Sequence, residues 1–321
     1  MNIWGEKLQI SIFGESHGTA IGVVINGLPH GFKLDLDRIA LEMARRAPGQ
    51  NATTTARKEP DKVEVLSGLL ENVTTGAPLC GIIRNSDARS HDYTPEILRP
   101  GHADWTAFLK FCGHADMRGG GAFSGRLTAP LTFAGAVAKQ FLEKENIRIS
   151  AHHDVDYAEI LRIKAENDSI GGIIELVAEN VPPGLGDLFF GSVESRLSSL
   201  LFSIPAVKGV EFGDGFALSK MRGSEANDQL YLKNGKISAL SNHNGGILGG
   251  ITNGMPIVAR VAIKPTPSIG LSQKTVNTFD MSETTITVGG RHDPCIVPRA
   301  VPVVEAAAAI CILDLMLGEY L

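Results

Sequence analysis

Residues 99–137 read RPGHADWTAFLKFCGHADMRGGGAFSGRLTAPLTFAGAV, and the rest of the chain is arranged around this stretch. His102 sits in a Pro-Gly turn. Gly119, Gly120 and Gly121 follow, then Ser124 and Arg126, then Thr128-Ala129-Pro130. Proline is favoured in the first helical turn, where its missing N–H would be unpaired anyway. The pattern predicts a glycine loop feeding a helix from Ala129 to about Glu145. Free N–H groups and the helix dipole at such a start attract anions. Arginine adds a forked donor suited to phosphate or carboxylate. The glycines alone also fit a plain surface turn. Along the helix, Ala134, Gly135, Ala136 and Ala138 form a small face that predicts close packing against another element.

The 321 residues suffice for one large domain or two modest ones. A hydrophobic content of 43% with 20% charged residues fits a globular chain with a real core. The formal net charge of −5 argues against broad affinity for nucleic acid or an anionic membrane, so any anion site must come from local clusters. Cys80, Cys112, Cys295 and Cys311 are widely spaced, without zinc-like spacing, and read as buried free thiols; no metal site is expected. The N-terminus lacks a basic segment followed by an apolar run, so no signal peptide is expected. No stretch reads as a membrane span. The most apolar, Ala300 to Leu317, is interrupted by Pro302, Glu305 and Asp314.

Leu8 to Phe13 alternates polar and apolar residues and predicts a strand, with a second over Ile21 to Ile25. Between them, Gly14-Glu15-Ser16-His17-Gly18 offers His17 on a glycine-flanked turn. That histidine is either a surface residue or a proton carrier near neutral pH. Asp35 or Asp37 caps a helix with Leu36, Ile39, Ala40 and Met43 on its apolar face, ending at Arg45-Arg46-Ala47-Pro48-Gly49. The two arginines could simply complement the helix dipole. Further basic residues, Arg57, Lys58, Arg84, Arg89 and Arg99, favour a small polyanionic ligand instead. Strands are predicted over Val63 to Leu66 and Pro78 to Ile83.

Residues 147–167 are more charged and read as a peripheral hairpin or connection between two β-rich halves, about 1–146 and 168–321, of one domain. The layout SIGGIIELVAENVPPGLG at 169–186 echoes AIGVVINGLPHG at 20–31. A helix is expected over Ser192 to Ser203, a strand over Ile257 to Ile263 and a long helix over about Val301 to Leu317. Neither a P-loop nor a dinucleotide fingerprint is present. Arg291-His292-Asp293-Pro294-Cys295 is another polar cluster ahead of a helix. Arg291 and Asp293 there fit either a loop salt bridge or a site.

Taken together and in order, these clusters resemble the chorismate synthase family from about Trp4 to Leu317. They are Gly14-Glu15-Ser16-His17-Gly18 with Gly27-Leu28-Pro29, Arg99 to Asp104 with the loop and helix of 119–137, and Arg291 to Cys295 with Glu305-Ala306. Arg45-Arg46, Ser67-Gly68, Val73 to Gly76, Val207 to Glu211 and Asn242-His243 fall in the family's order. The resemblance implies an α+β fold, a β-α-β sandwich with internal pseudo-symmetry. It implies a lyase that forms chorismate by anti-1,4-elimination of phosphate from 5-enolpyruvylshikimate-3-phosphate, the last step of the shikimate pathway to aromatic amino acids. It also implies reduced FMN as cofactor, a link to NADP, a cytoplasmic homotetramer, and a separate flavin reductase, since the chain leaves no evident room for that domain.

The resemblance further assigns His17 to protonate the departing phosphate, His102 to supply a proton near flavin N1 and Asp293 to stand by flavin N5. Ser16, Arg45, Arg46, Arg99, Ser124 and Arg126 would bind substrate. Arg46, Ala122, Phe123, Ser124, Pro205, Ala206, Gly249, Lys264, Pro265, Thr266, Pro267, Ser268 and Arg291 would bind FMN. The chain departs from many members at Ala52, Ala122, Leu127 and Pro205. His114, in a copy of the His102 motif, lacks the preceding Arg-Pro pair, so His102 is the one expected in the site.

Overall fold

Two antiparallel sheets enclose a layer of helices in the computed structural model, which describes residues 2–49, 61–86, 96–289 and 293–319. The first sheet comprises β1 (Ile3–Trp4), β2 (Gln9–Gly14), β3 (Ala20–Asn26), β4 (Val63–Ser67) and β5 (Leu79–Arg84), in the order β1-β2-β3-β5-β4. The second comprises β6 (Arg148–His153), β7 (Gly172–Glu179), β8 (Val207–Phe212) and β9 (Ile257–Ile263), in the order β8-β9-β7-β6.

The larger helices are α1 (Leu36–Arg46), α2 (Asp104–Lys110), α3 (Thr128–Lys144), α4 (Tyr157–Ala165), α5 (Val193–Ser203) and α6 (Val297–Glu319). Asp35 is the cap of α1; its carboxylate accepts from the N–H groups of Asp37 and Arg38. Ser192 caps α5 in the same way, accepting from the N–H of Ser195. Helix α3 packs on the first sheet, α6 on the second, and the two helices pack on each other.

Their contact explains the small face read from the sequence. A Cβ added at Gly135 of α3 would overlap Ala306 of α6, so only glycine lets the two backbones meet there. Helix α6 is buried along nearly its whole length, with Val304, Ala307, Ala308, Ile310 and Leu313 inaccessible. It is long and apolar enough to cross a membrane by length and composition, which corrects the reading of Ala300 to Leu317 as too interrupted. With 89% of its most apolar stretch buried, it forms the core of this fold. The helix begins one turn before the expected Val301 and runs through Pro302.

The strand order exposes a repeat. In the first half a hairpin β2-β3 is followed by α1, by β4 and β5 with β5 lying beside β3, and by α3. In the second half the hairpin β6-β7 is followed by α5, by β8 and β9 with β9 beside β7, and by α6. The echo between 20–31 and 169–186 is the match of β3 and β7 with their following turns. Of the two readings of 147–167, hairpin or connection, the segment contains parts of both. Residues 148–153 are β6, the edge strand equivalent to β2, and α4 lies in the connection to β7. An edge strand with one open face carries exposed charge and so reads like a loop in sequence. The cysteines are free, but Cys112 is exposed and Cys80 half-buried, so only Cys295 and Cys311 fit the buried-thiol reading.

Candidate active site

The glycine loop ahead of α3 lies where three turns converge. Gly119, Gly120 and Gly121 all have positive φ (61°, 86° and 52°), backbone that side-chain-bearing residues rarely adopt. A Cβ on Gly119 would overlap the His17 ring, and one on Gly120 would lie 3.0 Å from His102 Cε1. The loop thus brings the two imidazoles against one stretch of bare backbone. The Gly121 carbonyl accepts from the Ser16 N–H at 3.1 Å, docking the 14–18 turn onto the loop.

A cavity of about 570 Å³ opens beside this loop, a size typical of small-molecule sites. Its cationic wall carries Arg46, Arg99, Arg126, Lys264 and Arg299. Ile204, Pro205, Ala206, Ile296 and Val303 supply an apolar wall. His102, Ala122, Phe123, Ser124, Thr266, Pro267, Ser268 and Asp293 also line it. His17 is not among the lining residues; it abuts Gly119, which is.

Arg46 and Arg126 are both buried and share one carboxylate. Arg46 donates from Nη1 to Asp61 Oδ2 at 2.6 Å, from Nη2 to the Gly125 carbonyl at 2.8 Å and from Nε to Thr128 Oγ1 at 3.1 Å. Arg126 pairs with Asp61 Oδ1 and donates from Nε to Asn85 Oδ1 at 3.1 Å. Burial pushes Arg46 down to about 10, with Asp61 opposing the shift and Arg299 and Arg126 adding to it. Burial also opposes ionisation of Asp61, but the two guanidiniums outweigh it and hold the carboxyl below its ordinary range.

His102 is oriented by a neighbour two residues on. Its Nδ1 lies 2.6 Å from Asp104 Oδ1, and Arg99 grips the same carboxylate with Nε at 2.9 Å and Nη2 at 2.8 Å. Burial works against ionisation of Asp104, yet the hydrogen bonds from His102 and Arg99 prevail and hold its carboxyl well below the usual range. An ionised carboxylate only accepts, so Nδ1 carries the hydrogen and Nε2 remains as the exchangeable position. Asp293 is ion-paired with Arg299, whose Nε also donates to the Arg46 carbonyl at 3.1 Å. Lys264 donates to the Gly101 carbonyl at 2.6 Å, tying the end of β9 to the His102 turn.

Most of the residues singled out in the sequence thus converge. Five do not line the cavity. Ser16 and His17 stand behind its Gly119 wall rather than in the lining. Arg45, one position round α1 from Arg46, pairs with Glu42 and Glu305. Gly249 forms the tight turn of a small hairpin between Ile247–Leu248 and Ile251–Thr252. Pro265 is exposed beside Lys264 and Thr266, which do line it. His114 is exposed and outside the cavity. Ala52, Arg57, Lys58, Arg89, Arg291 and His292 lie outside the described residues. Sequence reasoning missed Asp61, Asn85, Asp104 and Arg299 as parts of the site. Only Asp104 had a visible signal, its i+2 spacing from His102.

A sheet–helix–sheet sandwich with clustered guanidiniums and an aspartate-held imidazole in one cavity defines an enzyme of small anionic metabolites. The family model described as chorismate synthase matches residues 8–156 and 152–317, and the chain belongs to that family. A relative from Archaeoglobus fulgidus named chorismate synthase is 46% identical, the match covering 99% of this chain and 98% of that protein. One from Dehalococcoides mccartyi, with the same name, is 44% identical over 98% of this chain and 96% of its own length. A solved structure titled as the crystal structure of chorismate synthase matches with a TM-score of 0.76 at 28% identity, covering 98% of this chain and 93% of that one.

Proposed function

We propose that this protein is a lyase that eliminates phosphate from 5-enolpyruvylshikimate-3-phosphate to give chorismate, with reduced FMN bound in the same cavity. The observation that carries the reading is the junction of the five-cation wall with His102 and Asp293 in one cavity of a chain whose net charge is −5. The substrate bears a phosphate and two carboxylates, the charge such a wall suits. Buried guanidiniums fixed in advance hold an anion without reorganising during reaction.

The residues present fit a flavin. Thr266 Oγ1 is buried at the cavity wall with no hydrogen-bond partner among the described residues, a polar atom left for a ligand. Ala122, Phe123, Ser124, Pro205, Ala206, Thr266, Pro267 and Ser268 would hold the ring and its side chain, with Lys264 suited to the phosphate. Pro205 has no N–H and would contribute its ring or carbonyl. When bound, reduced flavin would supply electron density to the elimination, with no net redox change.

The chain's own residues do the rest. His17, held against Gly119, would give its proton to the departing phosphate oxygen. His102, with Nδ1 fixed on Asp104, would hold a proton at Nε2 toward the cofactor. Asp293, anchored by Arg299, would orient the cofactor's edge. Ser16, whose Oγ is buried without a partner among the described residues, and Ser124 would add hydrogen bonds to substrate.

The same reading includes a homotetramer, supplied with reduced flavin by a separate reductase in the cytoplasm. Highly exposed Phe189, Phe190 and Phe216 are consistent with surfaces covered on assembly. Anaerobic assay with reduced FMN tests the reaction. Phosphate and chorismate should appear together, and His17→Ala and His102→Ala should each slow turnover at least about tenfold with FMN affinity largely kept. A folded protein that binds FMN tightly yet turns over no substrate would overturn the proposal.

A further inference from the structure

Asn85 follows β5 directly and stands between two parts of the site that the mechanism uses separately. Its Nδ2 donates to the carbonyl oxygens of Glu15 at 3.0 Å and Gly18 at 2.8 Å. These carbonyls flank Ser16 and His17, and the Gly18 N–H closes the turn onto Glu15 at 3.0 Å. On its other side Asn85 Oδ1 accepts from Arg126 Nε at 3.1 Å. The backbone N–H of Asn85 donates to Thr19, so the residue is also fixed to the far end of the turn.

One planar group must offer two donors to the turn and an acceptor to the guanidinium. A primary amide does this; a carboxylate offers acceptors only. The partners also decide the amide's orientation. Reversed, its oxygen would face two carbonyls and its NH₂ would face a guanidinium.

We infer that Asn85 is the positioning residue that couples the His17 turn to Arg126, so that the proton donor and the anion grip keep a fixed spacing. The functional part of this rests on the reading of His17 as donor to the departing phosphate. Asn85 acts through its neighbours and does not line the cavity.

Asn85→Asp separates the two halves of the role. The carboxylate keeps the size and still accepts from Arg126, but loses both donors to the turn. Amide hydrogen exchange, read on the ligand-free protein, should quicken at least about tenfold over residues 15–18 and stay unchanged over residues 126–130. In turnover, KM for 5-enolpyruvylshikimate-3-phosphate should stay within about threefold while kcat falls at least about tenfold. Unchanged exchange at 15–18 would overturn the inference. So would quickened exchange spread across the chain with kcat and KM altered alike, the mark of general destabilisation. If Asn85→Asp fails to fold, Asn85→Ser keeps one donor and reads the same segment. A smaller, local quickening supports the coupling and none refutes it. A wild-type protein without turnover would sink the functional reading, while the exchange result would still decide the coupling.

Discussion

Replacing Asp61 with asparagine probes the charge arrangement at the heart of the cavity wall. The carboxylate is fully buried and accepts from Arg46 through one oxygen and from Arg126 through the other. In Asp61→Asn the amide oxygen can serve one guanidinium, but the NH₂ then faces the other, donor against donor. Stranding a buried charge by removing its partner costs about 3–5 kcal/mol, and the low end applies because one hydrogen bond survives. For a chain of this size, about 3 kcal/mol lowers the melting temperature by on the order of 4–5 °C.

Arg46, already pushed to about 10 by burial and by its cationic neighbours, loses its main opposing influence. The two guanidiniums should therefore welcome any other anion. Thermal unfolding with and without inorganic phosphate reads both effects. Phosphate should raise the melting temperature more in the variant than in the wild type, because ligand binding to the folded state stabilises it. A fall of less than about 1 °C, with equal phosphate responses, would refute the account of Asp61 as the shared counter-ion.

Asp104→Asn should leave His102 without its fixed tautomer and lower kcat by about ten- to a hundredfold, measured beside an unchanged far-ultraviolet circular dichroism spectrum. Gly119→Ala should displace the His17 ring and cut kcat sharply, whereas Gly223→Ala, where a Cβ meets open space away from the cavity, should be close to wild type; steady-state kinetics of the pair distinguishes them. Asp61 and Asp104 both have folded-state carboxyls held below the ordinary range. Each contributes stability that is fully present above the unfolded value of about 3.9 and lost as pH falls through the lower folded value. Acid titration should accordingly show stability falling below about pH 4, and Asp104→Asn should flatten that fall.

Much of the fold was legible in local pattern. The alternation over Leu8 to Phe13, the cap at Asp35 or Asp37, the helix from Ser192 and the small face around Gly135 all report contacts made within an element or along one face. The cavity was legible where chemistry clusters along the chain, as at 99–104 and 119–126. What remained hidden is long-range. Arg46, Asp61, Asn85 and Arg126 meet only after the first sheet and α3 are assembled, and no periodicity links them. Arg299 looked like one more polar residue ahead of an apolar helix, although it anchors Asp293. The strand β6 was legible only as part of a hairpin or a connection, because its exposed charges mask the pairing with β7. Arg45 and Arg46 looked equivalent in sequence. The helical turn between them sends one to an ion cluster with Glu305 and the other to the cavity.

The most direct test of a shared cavity for anion and flavin is the absorbance spectrum of oxidised FMN mixed with the protein, recorded before and after adding 5-enolpyruvylshikimate-3-phosphate. The wild type should show a further, saturable perturbation of the flavin bands on adding substrate, and Arg126→Met should lose it while still binding FMN. Flavin bands that do not respond to substrate, in a protein that binds both molecules, would contradict a common site.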